Sequence, residues 1–315
     1  MSTLIVLLLF LVSCAVLVIS GILLLKAIIK ISAFLRLSAF ITSFTILAIA
    51  TSLPELFVGI TSAINKNPTL GLGTVIGSNI ADLTLVAGIA ILFSGGIKIP
   101  RRHIKHDVLL MIGIAVLPII LSTIGNQLSA IDGAILLIIF IVYWRHLITK
   151  TKNHKLKENI TKIASIGYTL LFVAALAGLY LSAENTVKYG TELSTILGIP
   201  LILTGLFFLA IGTSLPELIL ETTAMVKGLP EFALGDIVGS VVTNSTLVLG
   251  ITAIIHPIEN TGILFLTASG FMVLATILFA TFIDANNKLT KAEGITLILF
   301  YVLFTIVEFV VKGVI

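Results

Sequence analysis

Two short stretches of the chain carry the residues best suited to chemistry. Residues 48–56 read AIATSLPEL and residues 210–218 read AIGTSLPEL. Each sets a glutamate, Glu55 or Glu217, directly after a proline, Pro54 or Pro216, inside an apolar run. Proline withholds one backbone donor and opens the preceding turn, which frees carbonyl oxygens to face a cation. Thr51, Ser52, Thr213 and Ser214 add hydroxyls within one turn of each glutamate. In the next segment of each copy, Ser78 with Asp82 and Ser240 with Asn244 are spaced i, i+4, so each pair shares a helix face. The inventory is carboxylate, hydroxyl, amide and carbonyl oxygen, with no Cys or His. It suits hard ions such as Ca²⁺ or Na⁺ rather than zinc or copper. An ionisable group buried in an apolar span is costly unless paired, and no Lys or Arg lies in these two segments. The expected partner is a cation that comes and goes.

The elements that hold these residues follow from composition. Of 315 residues, 58% are apolar and only 11% are charged, with a mean hydropathy of +1.20. Soluble domains carry about a quarter charged residues, so soluble enzymes, disordered chains, coiled coils and disulfide scaffolds are excluded. Cys14 is the sole cysteine, so no disulfide can form within the chain. The net charge of +4 is spread through short loops, which gives no reason to expect nucleic acid. The chain reads as an all-α integral membrane protein. Ten apolar segments of spanning length run at about 3–25, 37–64, 69–94, 107–125, 129–148, 163–183, 196–226, 231–255, 261–283 and 292–312. The second and seventh are interrupted at Pro54 and Pro216. The short alternating strands of a barrel are not seen. No basic residue precedes the first segment, and the first cation is Lys26, so that segment is expected to stay as a helix.

Loops after odd-numbered segments hold 16 of the 19 basic residues, and the other side holds only Lys66, Lys188 and Lys312. By the positive-inside rule, both termini are expected outside a cell membrane, and the polar stretch 145–162 is expected in the cytoplasm. The two motif copies keep an offset of 162 residues without a gap through Gly77/Gly239, Ser78/Ser240, Thr84/Thr246 and Gly88/Gly250, and Thr42 pairs with Thr204 upstream. Five segments separate the copies, so they cross in opposite directions. Inverted repeats mark secondary transporters, with sites near the midplane. The expected division is a five-helix half at 1–148 (motif about 41–88), a linker at 149–162 and a second half at 163–315 (motif about 203–250). Glycines at 73, 77, 235 and 239 form small-residue stripes for close helix approach.

Thr51-Ser52-Leu53-Pro54-Glu55 and Gly212-Thr213-Ser214-Leu215-Pro216-Glu217, followed by Gly77-Ser78-Asn79 and Gly239-Ser240, resemble the two alpha-repeats of the cation/Ca²⁺ exchanger superfamily. The compact prokaryotic Na⁺/Ca²⁺ exchangers are the branch they look most like. The resemblance implies that Glu55 and Glu217 bridge Ca²⁺, with backbone carbonyls from Thr51 and Thr213. It implies flanking Na⁺ sites completed by Ser52, Ser78, Ser214, Ser240, Ala48 and Ala210. Asp82 and Asn244 hold the acid and amide of the family in reversed order. Ala50 replaces a usual glycine, Asp236 a usual asparagine, and Glu221 adds a carboxylate one turn beyond Glu217. Glu221 and Asp236 are candidates for an extended ion pathway, set against wet vestibules near the helix ends.

With Asp82 protonated, Glu55 and Glu217 leave two negative charges, balanced by one Ca²⁺. The resemblance implies three Na⁺ in exchange, which makes the cycle electrogenic. The first and sixth segments carry none of these ligands and are the expected moving pair. No cofactor beyond the transported Ca²⁺ and Na⁺ is expected, and the chain is expected to act as a monomer. The rival reading couples Ca²⁺ to H⁺ through Glu55, Asp82, Glu217, Glu221 and Asp236, although the resemblance implies Na⁺ from Ser52 and Ser214, where proton-coupled branches tend to have Asn-containing motifs. A K⁺-dependent variant and, from another class, a cation channel complete the alternatives. An enzyme is not expected, since no His-Glu-x-x-His helix or embedded Ser/His pair is found. His103 and His106 read as solvated loop residues.

Overall fold

The computed structural model describes residues 3–34, 47–98, 104–149, 162–259, 262–285 and 288–312. Thr42, Arg101, Arg102, His103 and most of the linker (150–161) lie outside them. The described chain is nearly all helix: α1 (Thr3–Phe34), α2 (Ala48–Thr51), α3 (Leu53–Ile64), α4 (Pro68–Ala81), α5 (Ala87–Ser94), α6 (Ile104–Gly125), α7 (Ala130–Thr149) and α8 (Lys162–Leu197). It continues through α9 (Leu201–Leu203), α10 (Ala210–Thr213), α11 (Leu215–Val226), α12 (Pro230–Thr243), α13 (Leu249–Ile255), α14 (Ile263–Ala285) and α15 (Lys291–Val311). Among the described residues, eight helices are long and apolar enough to cross a membrane, and the segment Leu201–Val226 is a ninth candidate bent by 43° at its break.

The two breaks fall at Ser52 and Ser214, two residues before the prolines. Both serines leave helical geometry in the same way, with φ/ψ of −77°/1° and −80°/2°. Pro54 and Pro216 then sit in the first turns of α3 and α11, where a missing N–H costs little. The proline therefore starts the next helix, and the turn before it is what gives way.

Two helices outrun their apolar stretches. The sixth segment, expected to end at 183, continues as α8 to Leu197. Glu184, Asn185 and Lys188 lower its hydropathy, but they are exposed. Ser182, Ala183, Thr186, Val187, Gly190, Leu193 and Ser194 form one buried stripe at helical period. Likewise α1 runs to Phe34 and carries Lys26 and Lys30, which the sequence places in a loop. At 1.5 Å per residue, α8 is about 54 Å long, well beyond a hydrocarbon core of about 30 Å.

The centre of the molecule is formed by α4 and α12, which are buried on all sides. Each continues through a π-helical turn, Asp82–Val86 into α5 and Asn244–Val248 into α13. Packing is crosswise: α4 lies on α9, α10 and the π-helical turn Thr204–Leu209, α12 on α2, α11 on α5, and α3 on α13. The long helices α1 and α8 lie side by side against the broken pairs, and α6, α7, α14 and α15 cover the other face. Gly21 places α1 on both breaks at once, because a Cβ there would lie 3.3 Å from Cγ of Pro54 and 3.3 Å from Cγ of Pro216.

Correspondence between the halves reaches beyond the motif. Strand β1 (Ile97–Lys98) pairs antiparallel with β4 (Lys288–Leu289), and β2 (Gln127–Leu128) with β3 (Ile258–Glu259). Thr290 closes a capping box with Glu293: its N–H donates to Glu293 Oε2 at 2.6 Å while its hydroxyl accepts from the Glu293 N–H. Ser129 and Asp132 make the same reciprocal contact before α7. Replacing Thr290 by Ala is expected to cost about 1 kcal/mol, seen as a lower midpoint in thermal unfolding of the detergent-solubilised chain, with Thr290→Ser close to native.

Candidate ion-binding site

The breaks bring the motif residues to the centre. Glu55 and Glu217 occupy the first turns of α3 and α11, where the positive end of each helix dipole favours an anion. They are 1% and 0% exposed. Ser78 from α4 donates to Glu55 Oε1 at 3.2 Å, while Glu55 Oε2 and both oxygens of Glu217 have no hydrogen-bond partner.

Two hydroxyl contacts cross between the halves. Thr51 Oγ1 lies 3.0 Å from Ser240 Oγ, and Thr213 Oγ1 lies 3.1 Å from Ser78 Oγ. These contacts are the same pair exchanged by the 162-residue offset. Thr51 and Thr213 also donate back to the carbonyls of Ala48 (3.3 Å) and Ala210 (3.2 Å), which fixes those carbonyls at the break. Ser52 and Ser214 hold N-cap positions, yet neither side chain caps its helix, and both hydroxyls are buried without a partner.

Asp82 and Asn244 open the π-helical turns that follow α4 and α12, are fully buried, and leave both polar side-chain atoms without a partner. The Ser214 hydroxyl faces Asp82 without closing a hydrogen bond on it. Most buried polar groups in folded proteins are paired. A centre in which Ser52, Ser214, Glu217, Asp82 and Asn244 all lack partners is therefore built for something that is not protein. Among the described residues no group of three or more His, Cys, Asp or Glu converges in the manner of a metal cluster. The donors instead mix carboxylate, hydroxyl, amide and carbonyl oxygen, the chemistry of a hard cation.

Every candidate from the sequence thus lies in or beside one buried region. The wet vestibule for Glu221 and Asp236 is not found: both are 0% exposed, and none of their carboxylate oxygens has a partner. His106 is exposed as expected, but it belongs to α6 rather than to a loop, with its ring 6.3 Å from that of His146. Sequence reasoning missed two features. Asn79 donates to Ser245 Oγ at 2.9 Å, tying α4 to the π-helical turn after α12. Tyr301 of α15 lies within electrostatic reach of Asp82, its buried hydroxyl unpartnered. The only signal for it is a lone tyrosine in an apolar helix.

The profile of the sodium/calcium exchanger protein family matches residues 5–149 and 167–310. The chain belongs to the sodium/calcium exchanger family. Curated relatives of this exchanger-family chain include the sodium/calcium exchanger MaX1 of Methanosarcina acetivorans, 26% identical over 312 residues and covering 85% of this chain and 88% of that one. The uncharacterized membrane protein MJ0091 of Methanocaldococcus jannaschii is 29% identical over 263 residues, covering 82% and 83%. The inner membrane protein YrbG of Escherichia coli is 29% identical over 255 residues, covering 76% and 77%. The fold is that of the exchanger NCX_Mj. Its structure soaked with 2.5 mM Na⁺ and 0.1 mM Ca²⁺ superimposes with a TM-score of 0.68 at 24% identity, covering 95% of this chain and 97% of that one. This chain is a multi-pass membrane transporter of the cation/Ca²⁺ antiporter type.

Proposed function

We propose that this exchanger-family chain moves Ca²⁺ against Na⁺ by alternating access. The observation that carries the reading is the set of buried, partnerless oxygens at two matched helix breaks. Glu55 and Glu217 bridge the Ca²⁺, and the backbone carbonyls of Thr51 and Thr213 complete its shell. The hydroxyls of Ser52, Ser78, Ser214 and Ser240, with the carbonyls of Ala48 and Ala210, serve flanking Na⁺. Asp82 carries a proton and Asn244 supplies an amide oxygen, so three Na⁺ replacing one Ca²⁺ moves net charge. The architecture in this reading is ten crossings in two inverted five-helix halves, with both termini outside and 145–162 in the cytoplasm. The matched breaks, π-helical turns, two-stranded ribbons and caps support it. The helices α1 and α8, which pack on one another, with α1 seated on both breaks through Gly21, are the pair that moves.

Uptake of ⁴⁵Ca²⁺ into proteoliposomes tests the coupling ion. Vesicles loaded with Na⁺ are expected to accumulate Ca²⁺, with uptake raised by an inside-positive potential, and vesicles loaded with K⁺ are not. The partnerless Asp82 beside Tyr301 gives the H⁺-coupled reading its one specific observation. Uptake driven by an inside-acid pH gradient in Na⁺-free buffer would establish that reading in place of Na⁺ coupling.

A further inference from the structure

Glu221 and Asp236 form an acidic pair that the central site does not need. Glu221 lies one turn beyond Glu217 on α11, and Asp236 lies one turn before Ser240 on α12. Both therefore share the face of a central residue, displaced toward the turn 227–229 that joins the two helices. The two carboxylates are within electrostatic reach of each other. Both are 0% exposed, and all four oxygens lack a hydrogen-bond partner. The Thr51 hydroxyl faces Asp236 but closes its contact on Ser240. Two partnerless carboxylates buried within electrostatic reach of each other are tolerated only when something neutralises them.

The other half has nothing equivalent. At the 162-residue offset, Glu221 corresponds to Gly59 and Asp236 to Thr74. The Thr74 hydroxyl is satisfied by the Leu70 carbonyl at 2.9 Å. Gly59 is packed shut, since a Cβ there would meet Thr252 Oγ1 at 2.5 Å. At these two positions acid stands in one half alone, which gives a direction to an otherwise repeated arrangement.

We propose that Glu221 and Asp236 bind a second divalent cation of the Ca²⁺ class, one helical turn from the central site on the side of the turn 227–229. The donors are oxygen only, and their two charges match one such ion. The site is a staging post: an ion held there is passed to Glu217 along one face of α11. It rests on the proposed cation transport and adds to it a sidedness that the repeat alone cannot supply.

Equilibrium ⁴⁵Ca²⁺ binding to the purified full-length chain in Na⁺-free detergent solution tests this. The native chain is expected to bind two equivalents, the Glu221→Gln/Asp236→Asn variant one, and the Glu55→Gln/Glu217→Gln variant one. Asp236→Asn alone, the smaller change, is expected to weaken the second equivalent at least tenfold and serves if the double variant does not fold. A native stoichiometry that survives both pair variants unchanged would overturn the proposal and leave the pair as carboxylates that share protons. Binding needs no gradient, so absence of Na⁺-driven uptake would sink the antiport reading without touching this result, and the reverse also holds.

Discussion

Replacing Glu217 with Gln is expected to reduce Na⁺-driven Ca²⁺ uptake to the level of protein-free liposomes. The side chain keeps its size, but one of two charges disappears and an acceptor becomes a donor. Removing one member of a buried charge pair costs about 3–5 kcal/mol, which is roughly a 100- to 4,000-fold loss of Ca²⁺ affinity. Glu55→Gln should fall nearly as far. Its Oε1 already accepts from Ser78, so that hydroxyl also loses its anionic partner. A second readout separates a binding role from a structural one. Both oxygens of Glu217 are buried without partners, so the ion-free protein carries a cost there that glutamine relieves. The ion-free variant should unfold at a higher temperature than native protein, while the rise that Ca²⁺ gives native protein is lost. Uptake within twofold of native would remove Glu217 from the ion site.

The largest effect on the fold is expected at Gly77. A Cβ at that position would collide with the Leu206 carbonyl oxygen, and would stand 2.7 Å from Ala210 Cβ and 2.8 Å from the Leu206 carbonyl carbon. Backbone cannot turn aside as a side chain can. The same seam is tight from the other direction, since a Cβ on Gly205 would stand 2.7 Å from the Thr74 nitrogen. Gly77→Val must therefore push α4 away from the π-helical turn Thr204–Leu209 and α10, at about 3 kcal/mol or more, and it separates Ser78 from Thr213 as it does so. The expected result is loss of the monodisperse peak in size-exclusion chromatography. Gly212→Ala is the internal control. A Cβ there meets nothing within 4 Å, and the matching position in the first half is already Ala50. A native profile for Gly77→Val would mean that the seam is looser than its contacts require.

Most of the central site was legible because its signals are local. The TSLPE strings, the i, i+4 pairs and the 162-residue offset name residues directly, and Glu55, Ser78 and Thr213 meet in one set of contacts and Thr51 and Ser240 in another. The crossed pairing of Thr51 with Ser240, and of Thr213 with Ser78, was not legible, because spacing within a segment says nothing about which half a hydroxyl turns to. Hydropathy misjudged α8, whose last turns are held by a buried stripe against α1 rather than by a continuous apolar run. Position near the helix ends suggests exposed carboxylates at Glu221 and Asp236, but α11 and α12 bury both. Tyr301 escaped for the opposite reason: one hydroxyl in an apolar helix carries no pattern at all.

The seat of α1 on both prolines has a consequence for leakage. A slide of α1 by one turn, about 5.4 Å, takes Gly21 away and brings the level of Leu17 or Leu25 to Pro54 and Pro216 together. Neither proline can register that shift alone, because a single glycine serves both. In the proposed alternating-access cycle α1 therefore bears on both breaks in one motion, the arrangement that disfavours a leak. For the proposed exchange, the coupling of the two halves then comes down to where one residue without a side chain rests.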